Sequence, residues 1–182
     1  IFLDSYGAGV NIQTLNILEA QPPEQVQDAF SDAIKAREDE QRYGCGIVSF
    51  DGKNYHSEKR QGLVGDHFTD LNTLKKLPGD FAIGHNRYST TGETSLRNIQ
   101  PFFADLYIGG LSVAHNGNLT NAVLLREILV KDGAIFRTTS DTETIVQLIA
   151  KSKRDKFIEK LIDALFQIQG GYALIMMTNK KL

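Results

Sequence analysis

The chain has 182 residues, of which 41% are hydrophobic and 23% are charged, enough for one compact domain with at most a short appendage. Its net charge of −2 at pH 7 argues against nucleic acid as the main partner, and its single cysteine excludes an internal disulfide and a cysteine-built zinc site. No apolar run reaches the roughly 18 residues that cross a bilayer. We therefore expect a cytoplasmic protein with no membrane span and no cofactor.

The first 44 residues have a negative net charge, with eight acidic and three basic residues. The remaining residues have a positive net charge, with fourteen acidic and seventeen basic residues. Alternating apolar residues predict a strand at 9–18. Pro22 and Pro23 end it and open a helix at 24–42, which has one narrow apolar stripe and is otherwise charged. This part of the chain is expected to form a strand-helix appendage.

From Gly44 onward the chain changes to mixed strands and helices. Asp51-Gly52 is a strong hairpin turn, and the return strand begins near Asn54. The apolar and periodic runs predict further strands at 46–50, 81–85, 106–115, 134–136 and 172–177, and helices at 71–77, 118–129, 141–151 and 155–168. Because strands and helices do not alternate strictly, an α+β sandwich is favoured over a doubly wound parallel sheet.

Polar residues follow two of the predicted strands, at 85–92 and at 114–118. Strand ends with Gly, Asn and hydroxyl residues are places where rigid scaffolds present reactive groups. The amide of Asn116 and the N–H of Gly117 could aim two donors at one oxyanion. The same dipeptide is also a common hairpin turn, so spacing alone leaves both interpretations open.

Two charged residues have comparable alternatives. Arg87 could grip a carboxylate with two hydrogen bonds, or could form a structural salt bridge. Ser140 or Asp141 could cap the helix that follows, and a carboxylate there could also bind an ammonium group.

The histidines have no metal-ligand spacing, so no metal site is predicted and most of them are expected to be packed or solvated: His56, His67, His85 and His115.

Seven stretches of the sequence match motifs of one protein family and occur in the same order as in that family: GIVSFDGK, GLVGDHF, IGHNRYSTTGET, NIQPFF, AHNGNLTNA, TTSDTE and GGYAL. Through them, residues 45–182 resemble the class II glutamine amidotransferase domain of bacterial amidophosphoribosyltransferase. The resemblance implies the four-layer αββα sandwich of N-terminal nucleophile hydrolases, here incomplete at both ends. It also implies hydrolysis of the glutamine side-chain amide to glutamate and ammonia. Full-length enzymes use that ammonia to make 5-phosphoribosylamine in purine biosynthesis.

The same resemblance assigns roles to five residues. Asn116 and Gly117 would form the oxyanion hole, and Arg87 would hold the α-carboxylate of glutamine. Thr90 would line the same pocket, and Asp141 would bind the α-ammonium group. Glutamine is thus the expected small-molecule partner, and self-association into a homo-oligomer is compatible with the sequence.

The sequence departs from the family at the nucleophile, which is an N-terminal cysteine whose own α-amine acts as the base. This sequence begins Ile1-Phe2-Leu3, and the HRGQ-like turn expected before GIVSFDGK is missing. We therefore expect a site that binds glutamine without turnover. Cys45 has two interpretations: a nucleophile exposed by cleavage after Gly44, or a buried structural thiol.

Residues 1–43 resemble a different family, the band-7 (SPFH) segment of the HflK type, through PPEQVQDAF and the charged helix after it. This resemblance divides the chain into a band-7-like segment at 1–43 and a truncated amidotransferase domain at 44–182, as in a chimera. The alternative function that follows is non-enzymatic: an interaction or scaffold segment fused to a degenerate domain.

Overall fold

A computed structural model describes residues 2–4, 43–88 and 95–179. The strands are β1 (Phe2–Asp4), β2 (Tyr43–Phe50), β3 (Tyr55–Gln61), β4 (Phe81–Tyr88), β5 (Phe102–Leu106), β6 (Gly109–Leu119) and β7 (Gly170–Thr178). The α-helices are α1 (Val64–His67), α2 (Leu71–Leu74), α3 (Ala122–Lys131), α4 (Asp141–Lys151) and α5 (Phe157–Leu165), and a 3₁₀ turn spans Leu96–Asn98. None of the helices in these ranges is long and apolar enough to cross a membrane.

The described strands form two antiparallel sheets. One has the strand order β3-β2-β4, and the other has the order β1-β7-β6-β5. The register places Gly46 of β2 opposite His85 of β4, and Asn116 of β6 opposite Ala173 of β7. Since neighbours in register share a face of the sheet, these pairs decide which side chains meet between the two sheets.

Alternation along the strands builds four layers. On one face of β2, Cys45 and Ile47 pack against buried residues of α1 and α2. On its other face, Val48 meets Ala114 and Met177 of the second sheet. The far face of that second sheet packs against α3, α4 and α5 in the largest buried cluster of the described residues. This order of helices, sheet, sheet and helices confirms the predicted α+β sandwich.

Helix α4 begins and ends where the sequence predicts. Ser140 is its N-cap, and its hydroxyl accepts a hydrogen bond from the N–H of Thr142. Glu143 in the first turn accepts hydrogen bonds from the N–H groups of Arg137 and Thr138. The loop before the helix is thereby held to its N-terminus, which fixes the position of Asp141.

Several predicted boundaries differ from the structure. The apolar run predicted as one strand at 106–115 is divided by a turn at Tyr107 and Ile108, after which β6 begins at Gly109 with a φ of 114°. β6 then continues to Leu119, because its last residues pair with the start of β7, so the next helix begins at Ala122 rather than at 118. No strand forms at 134–136, where the N–H of Ala134 instead bonds to Leu129 O at the end of α3.

The predicted strand at 9–18 and helix at 24–42 lie outside the described residues. Strand β1 was not predicted, and it pairs antiparallel with β7, with Phe2 opposite Ile175 and Asp4 opposite Ala173.

Candidate functional site

The candidate site lies between the two sheets, at the end of β4 and the end of β6. His85 and Arg87 alternate with Ile83, which packs between the sheets, so all three face the second sheet. Asn116 alternates with Ala114 and faces the first sheet for the same reason. Polar side chains from two sheets therefore meet where the apolar interior ends.

One hydrogen bond joins the two sheets at this place. Nε2 of His85 lies 2.8 Å from Oδ1 of Asn116. Burial lowers the pKa of His85 to about 4, and the hydrogen bond with Asn116 opposes this only in part. His85 is therefore neutral at neutral pH. Because an amide oxygen only accepts, the single ring proton is on Nε2.

Arg87 is a half-buried cation that uses only part of its hydrogen-bonding capacity among the described residues. Its Nη1 donates to the carbonyl oxygen of Asn98 at 3.1 Å. Its Nε is buried, and no group among the described residues accepts from it. Burial lowers the pKa of Arg87, and the negative charge of Asp141 opposes that shift. A guanidinium in this setting is suited to hold a carboxylate with paired hydrogen bonds.

Asp141 is tied to the end of β6. Its Oδ2 accepts from the N–H of Leu119 at 3.0 Å, and its Oδ1 lies 3.5 Å from Nδ1 of His115. Burial alone would raise the pKa of Asp141, but hydrogen bonds from His115 and from the N–H groups of Leu119 and Thr142 lower it. The carboxylate is thus ionised at neutral pH and can attract an ammonium group.

Asn98 connects the two charged residues. Its carbonyl accepts from Arg87, and its side chain pairs with Thr139 through two hydrogen bonds of 2.8 and 3.1 Å. Thr139 lies two residues before Asp141. The separation of the guanidinium from the carboxylate is therefore set partly by one asparagine, whose role no sequence pattern indicates beyond its place in the NIQPFF stretch.

Gln100 holds the backbone of β6 next to Asn116. Its side-chain amide donates to His115 O at 3.1 Å and accepts from His115 N at 2.6 Å, as a neighbouring strand would do. Gln100 is 4% exposed. Its carbonyl lies against Gly46, where a Cβ would collide with it, so β2 needs a glycine there.

Position 117 requires glycine. Its φ is 136°, and it is exposed to solvent. A Cβ at this position would collide with Gly171 O and lie 2.8 Å from Cα of Tyr172. An L-residue would therefore be strained and would displace the N–H that the sequence predicts as an oxyanion donor.

Cys45 lies on the opposite face of the first sheet from this site. It is fully buried against α1 and α2, and its Sγ contacts Arg60 O at 3.8 Å. Burial raises the pKa of its thiol to about 12, although the charge of Arg60 opposes the shift. Of the two interpretations of Cys45, the structure favours the buried structural thiol.

We expect Cys45 to be inert in the folded chain, because only a thiolate reacts readily and burial suppresses it. A thiol-specific maleimide should label less than about 1% of the native chain in the time that it labels the urea-unfolded chain completely. Rapid labelling of the native chain, measured by mass spectrometry, would contradict the burial described here.

The structure brings four of the five predicted site residues to the same ends of β4 and β6 and to the start of α4: Arg87, Asn116, Gly117 and Asp141. Thr90 lies outside the described residues. The sequence predicts that most of the histidines are packed or solvated; His85 is buried, and its hydrogen bond with Asn116 was not predicted. Within the described ranges, no group of three or more His, Cys, Asp or Glu residues could hold a metal ion.

Residues 85–182 match the model of the glutamine amidotransferase domain family. The amidophosphoribosyltransferase of Rhizobium etli is 52% identical over 138 residues, which cover 76% of this chain and 28% of that protein. Chloroplastic amidophosphoribosyltransferase 3 of Arabidopsis thaliana is 44% identical over 150 residues, covering 82% of this chain and 28% of that protein. The chain thus spans 28% of the length of these relatives.

Two solved structures are similar to the chain. The glutamine phosphoribosylpyrophosphate amidotransferase of B. subtilis, complexed with ADP and GMP, is 38% identical with a TM-score of 0.69, covering 76% of this chain and 30% of that one. A structure described as the allosteric regulatory enzyme of purine biosynthesis is 35% identical with a TM-score of 0.78, covering 88% of this chain and 34% of that one.

Proposed function

We propose that the site of this chain binds glutamine and holds the side-chain amide against Asn116 and Gly117. The chain belongs to the family of glutamine amidotransferase domains. The observation that carries this proposal is the placement of Arg87 and Asp141 near each other at the edge of the site: Arg87 donates to Asn98 O, Asn98 bonds to Thr139 two residues before Asp141, and the charge of Asp141 raises the pKa of Arg87. A free α-amino acid has one carboxylate and one ammonium group, and it would neutralise both residues at once.

The proposed roles follow from the charges. Arg87 holds the α-carboxylate with guanidinium N–H groups other than Nη1, which donates to Asn98 O. Asp141 holds the α-ammonium group, because its lowered pKa keeps it ionised. Glutamine then extends its side chain toward Asn116 and Gly117, whose N–H groups donate to the amide oxygen and would stabilise an oxyanion formed there. Thr90, which would line the same pocket, stays a prediction.

We further propose that this 182-residue chain binds glutamine without hydrolysing it. Amide hydrolysis in this family needs a thiolate beside the oxyanion hole. The only cysteine of the sequence is Cys45, and it lies on the far face of the first sheet with a raised pKa. The site as described can therefore recognise the amide but lacks the group that attacks it.

The activity named for the relatives belongs to longer proteins, of which this chain matches 28%. We propose that this chain corresponds to their glutamine-binding part, whose ammonia would serve phosphoribosylamine synthesis in purine biosynthesis. The division at residues 43 and 44, the band-7-like segment with its scaffold function, the cytoplasmic location and the homo-oligomer stay predictions.

Calorimetric titration of the intact chain tests the proposal. We expect L-glutamine to bind at one site with a dissociation constant of about 1 mM or below. Glutaramate, which lacks the α-ammonium group, should bind at least about 10-fold more weakly because it cannot pair with Asp141. No ammonia should accumulate above the uncatalysed rate.

Two results would contradict the two parts of this proposal separately. Absence of binding heat at a glutamine concentration of about 50 mM, well above the expected dissociation constant, would remove the binding function. Steady ammonia release from the purified chain would leave binding intact but would overturn the absence of turnover.

A further inference from the structure

The direction of the Asn116 amide is decided by one neighbour. An asparagine amide has an oxygen and an NH₂ group of nearly equal size, so its two orientations differ mainly in hydrogen bonding. In the described residues, Oδ1 of Asn116 faces Nε2 of His85 at 2.8 Å. The opposite orientation would place the NH₂ group against Nε2, and the neutral ring could accept from it only by carrying its proton on Nδ1, which is buried and has no hydrogen-bond partner among the described residues.

The orientation matters because only one of the two ends helps a reacting oxygen. An oxyanion hole needs donors, and Nδ2 of Asn116 is a donor whereas Oδ1 would repel a negative oxygen. With Oδ1 occupied by His85, Nδ2 is the end left to face the substrate. The backbone of β6 at this point is held separately by Gln100, so His85 is not needed to place the Asn116 backbone.

We infer that His85 is a positioning residue for the oxyanion hole: by donating from Nε2 to Oδ1 of Asn116, it turns the asparagine amide so that Nδ2 faces the substrate oxygen. This inference rests on the proposed function and extends it to a residue that touches no substrate atom. Its basis is a hydrogen bond between the two sheets, which fixes one amide in one of two nearly isosteric states.

The rest of the imidazole supports this role over simple packing. His85 is 9% exposed, and its Nδ1 is buried with no hydrogen-bond partner among the described residues. A buried polar atom without a partner is unfavourable, and an apolar side chain of similar shape would avoid it. The ring thus keeps a buried Nδ1 without a hydrogen-bond partner, which lowers stability, while its Nε2–H donates one directed hydrogen bond. Since the pKa of His85 is about 4, that N–H remains the sole ring proton across the neutral range.

Two variants of similar size separate the role of this N–H from that of the ring. In His85→Gln the side-chain NH₂ takes the place of Nε2, whereas in His85→Asn the NH₂ reaches only as far as Nδ1. We expect His85→Asn to weaken glutamate binding about 30-fold and glutamine binding about 10-fold, the larger loss falling on the charged γ-carboxylate. His85→Gln should stay within about threefold for both ligands.

Norvaline is the matched control ligand, because it has the same α-amino acid head but no side-chain oxygen. Its affinity, set by Arg87 and Asp141, should be the same in both variants and in the unaltered chain. Equal losses in His85→Gln and His85→Asn, or a parallel loss of norvaline binding, would show that His85 only supports the structure and would overturn the inference.

The ligand-free chain gives a readout that does not depend on the proposed function. Long-range proton–nitrogen NMR spectra should show His85 protonated at Nε2 and bare at Nδ1 at neutral pH. The Asn116 side-chain NH₂ signals should shift in His85→Asn and largely return in His85→Gln. A proton on Nδ1, or unchanged Asn116 signals in His85→Asn, would overturn the inference. Failure of the proposed function would instead appear as no glutamine binding to the unaltered chain.

Discussion

Replacing Arg87 by leucine is expected to weaken glutamine binding about 100-fold, or about 2.7 kcal/mol. The guanidinium is half-buried and its Nη1 is held by Asn98 O, so a carboxylate at its accessible N–H groups forms charge-assisted hydrogen bonds at little further cost of desolvation. Arg87→Lys should recover only a small part of the loss, because an ammonium group is a point charge that cannot form the paired contact. Calorimetry measures both variants.

The control for Arg87 is an arginine outside the site. Arg154 is exposed and forms a surface ion pair with Asp163 at 3.2 Å, so Arg154→Leu removes the same charge with little effect on stability. Its glutamine affinity should stay within about twofold of the unaltered chain. If Arg87→Leu folds and binds glutamine as tightly as Arg154→Leu does, Arg87 does not hold the α-carboxylate.

Replacing Gly117 by alanine is expected to lower the free energy of unfolding by about 2–5 kcal/mol and to abolish glutamine binding. The added Cβ meets the β7 backbone, 2.8 Å from Cα of Tyr172, and the residue has a φ of 136° that L-residues rarely adopt. Either the sheet separates locally or Gly117 moves, and both displace the N–H proposed to face the amide oxygen. Urea unfolding measures the stability.

Gly171 provides a matched control on the neighbouring strand. It pairs with Asn118 in the same ladder, and an added Cβ there meets nothing within 4 Å. Gly171→Ala should change the free energy of unfolding by less than about 1 kcal/mol. Equal losses for the two alanine variants would mean that the conformation of Gly117 imposes no special requirement.

The α+β class was predictable because strands and helices do not alternate strictly along the chain, whereas the four-layer order was implied by the resemblance to the amidotransferase family. The sequence predicts a short apolar strand at 46–50. In the structure, Ile47 and Val48 of this strand pack into two different hydrophobic clusters. The start of α4 was equally predictable, since Ser140 before an apolar helix is a local capping signal. Such features depend on interactions between residues close in the chain, which sequence patterns describe well.

The contacts that organise the site could not be predicted in the same way. His85 and Asn116 are 31 residues apart, and Asn98 and Thr139 are 41 apart, so each pair meets only after the two sheets and α4 have packed. Local pattern carries no information about such distances. The end of β6 was mispredicted for a related reason: residues 118–119 have helical propensity around them, but pairing with β7 outweighs it.

The central claim, that this site seats glutamine by its α-amino acid head and directs its amide to Asn116 and Gly117, is tested most directly by NMR titration of the isotope-labelled chain. Glutamine should shift the backbone N–H of Gly117, the side-chain NH₂ of Asn116 and the side-chain N–H signals of Arg87 together, with one shared dissociation constant. Saturating shifts elsewhere that leave these three groups unmoved would contradict the account.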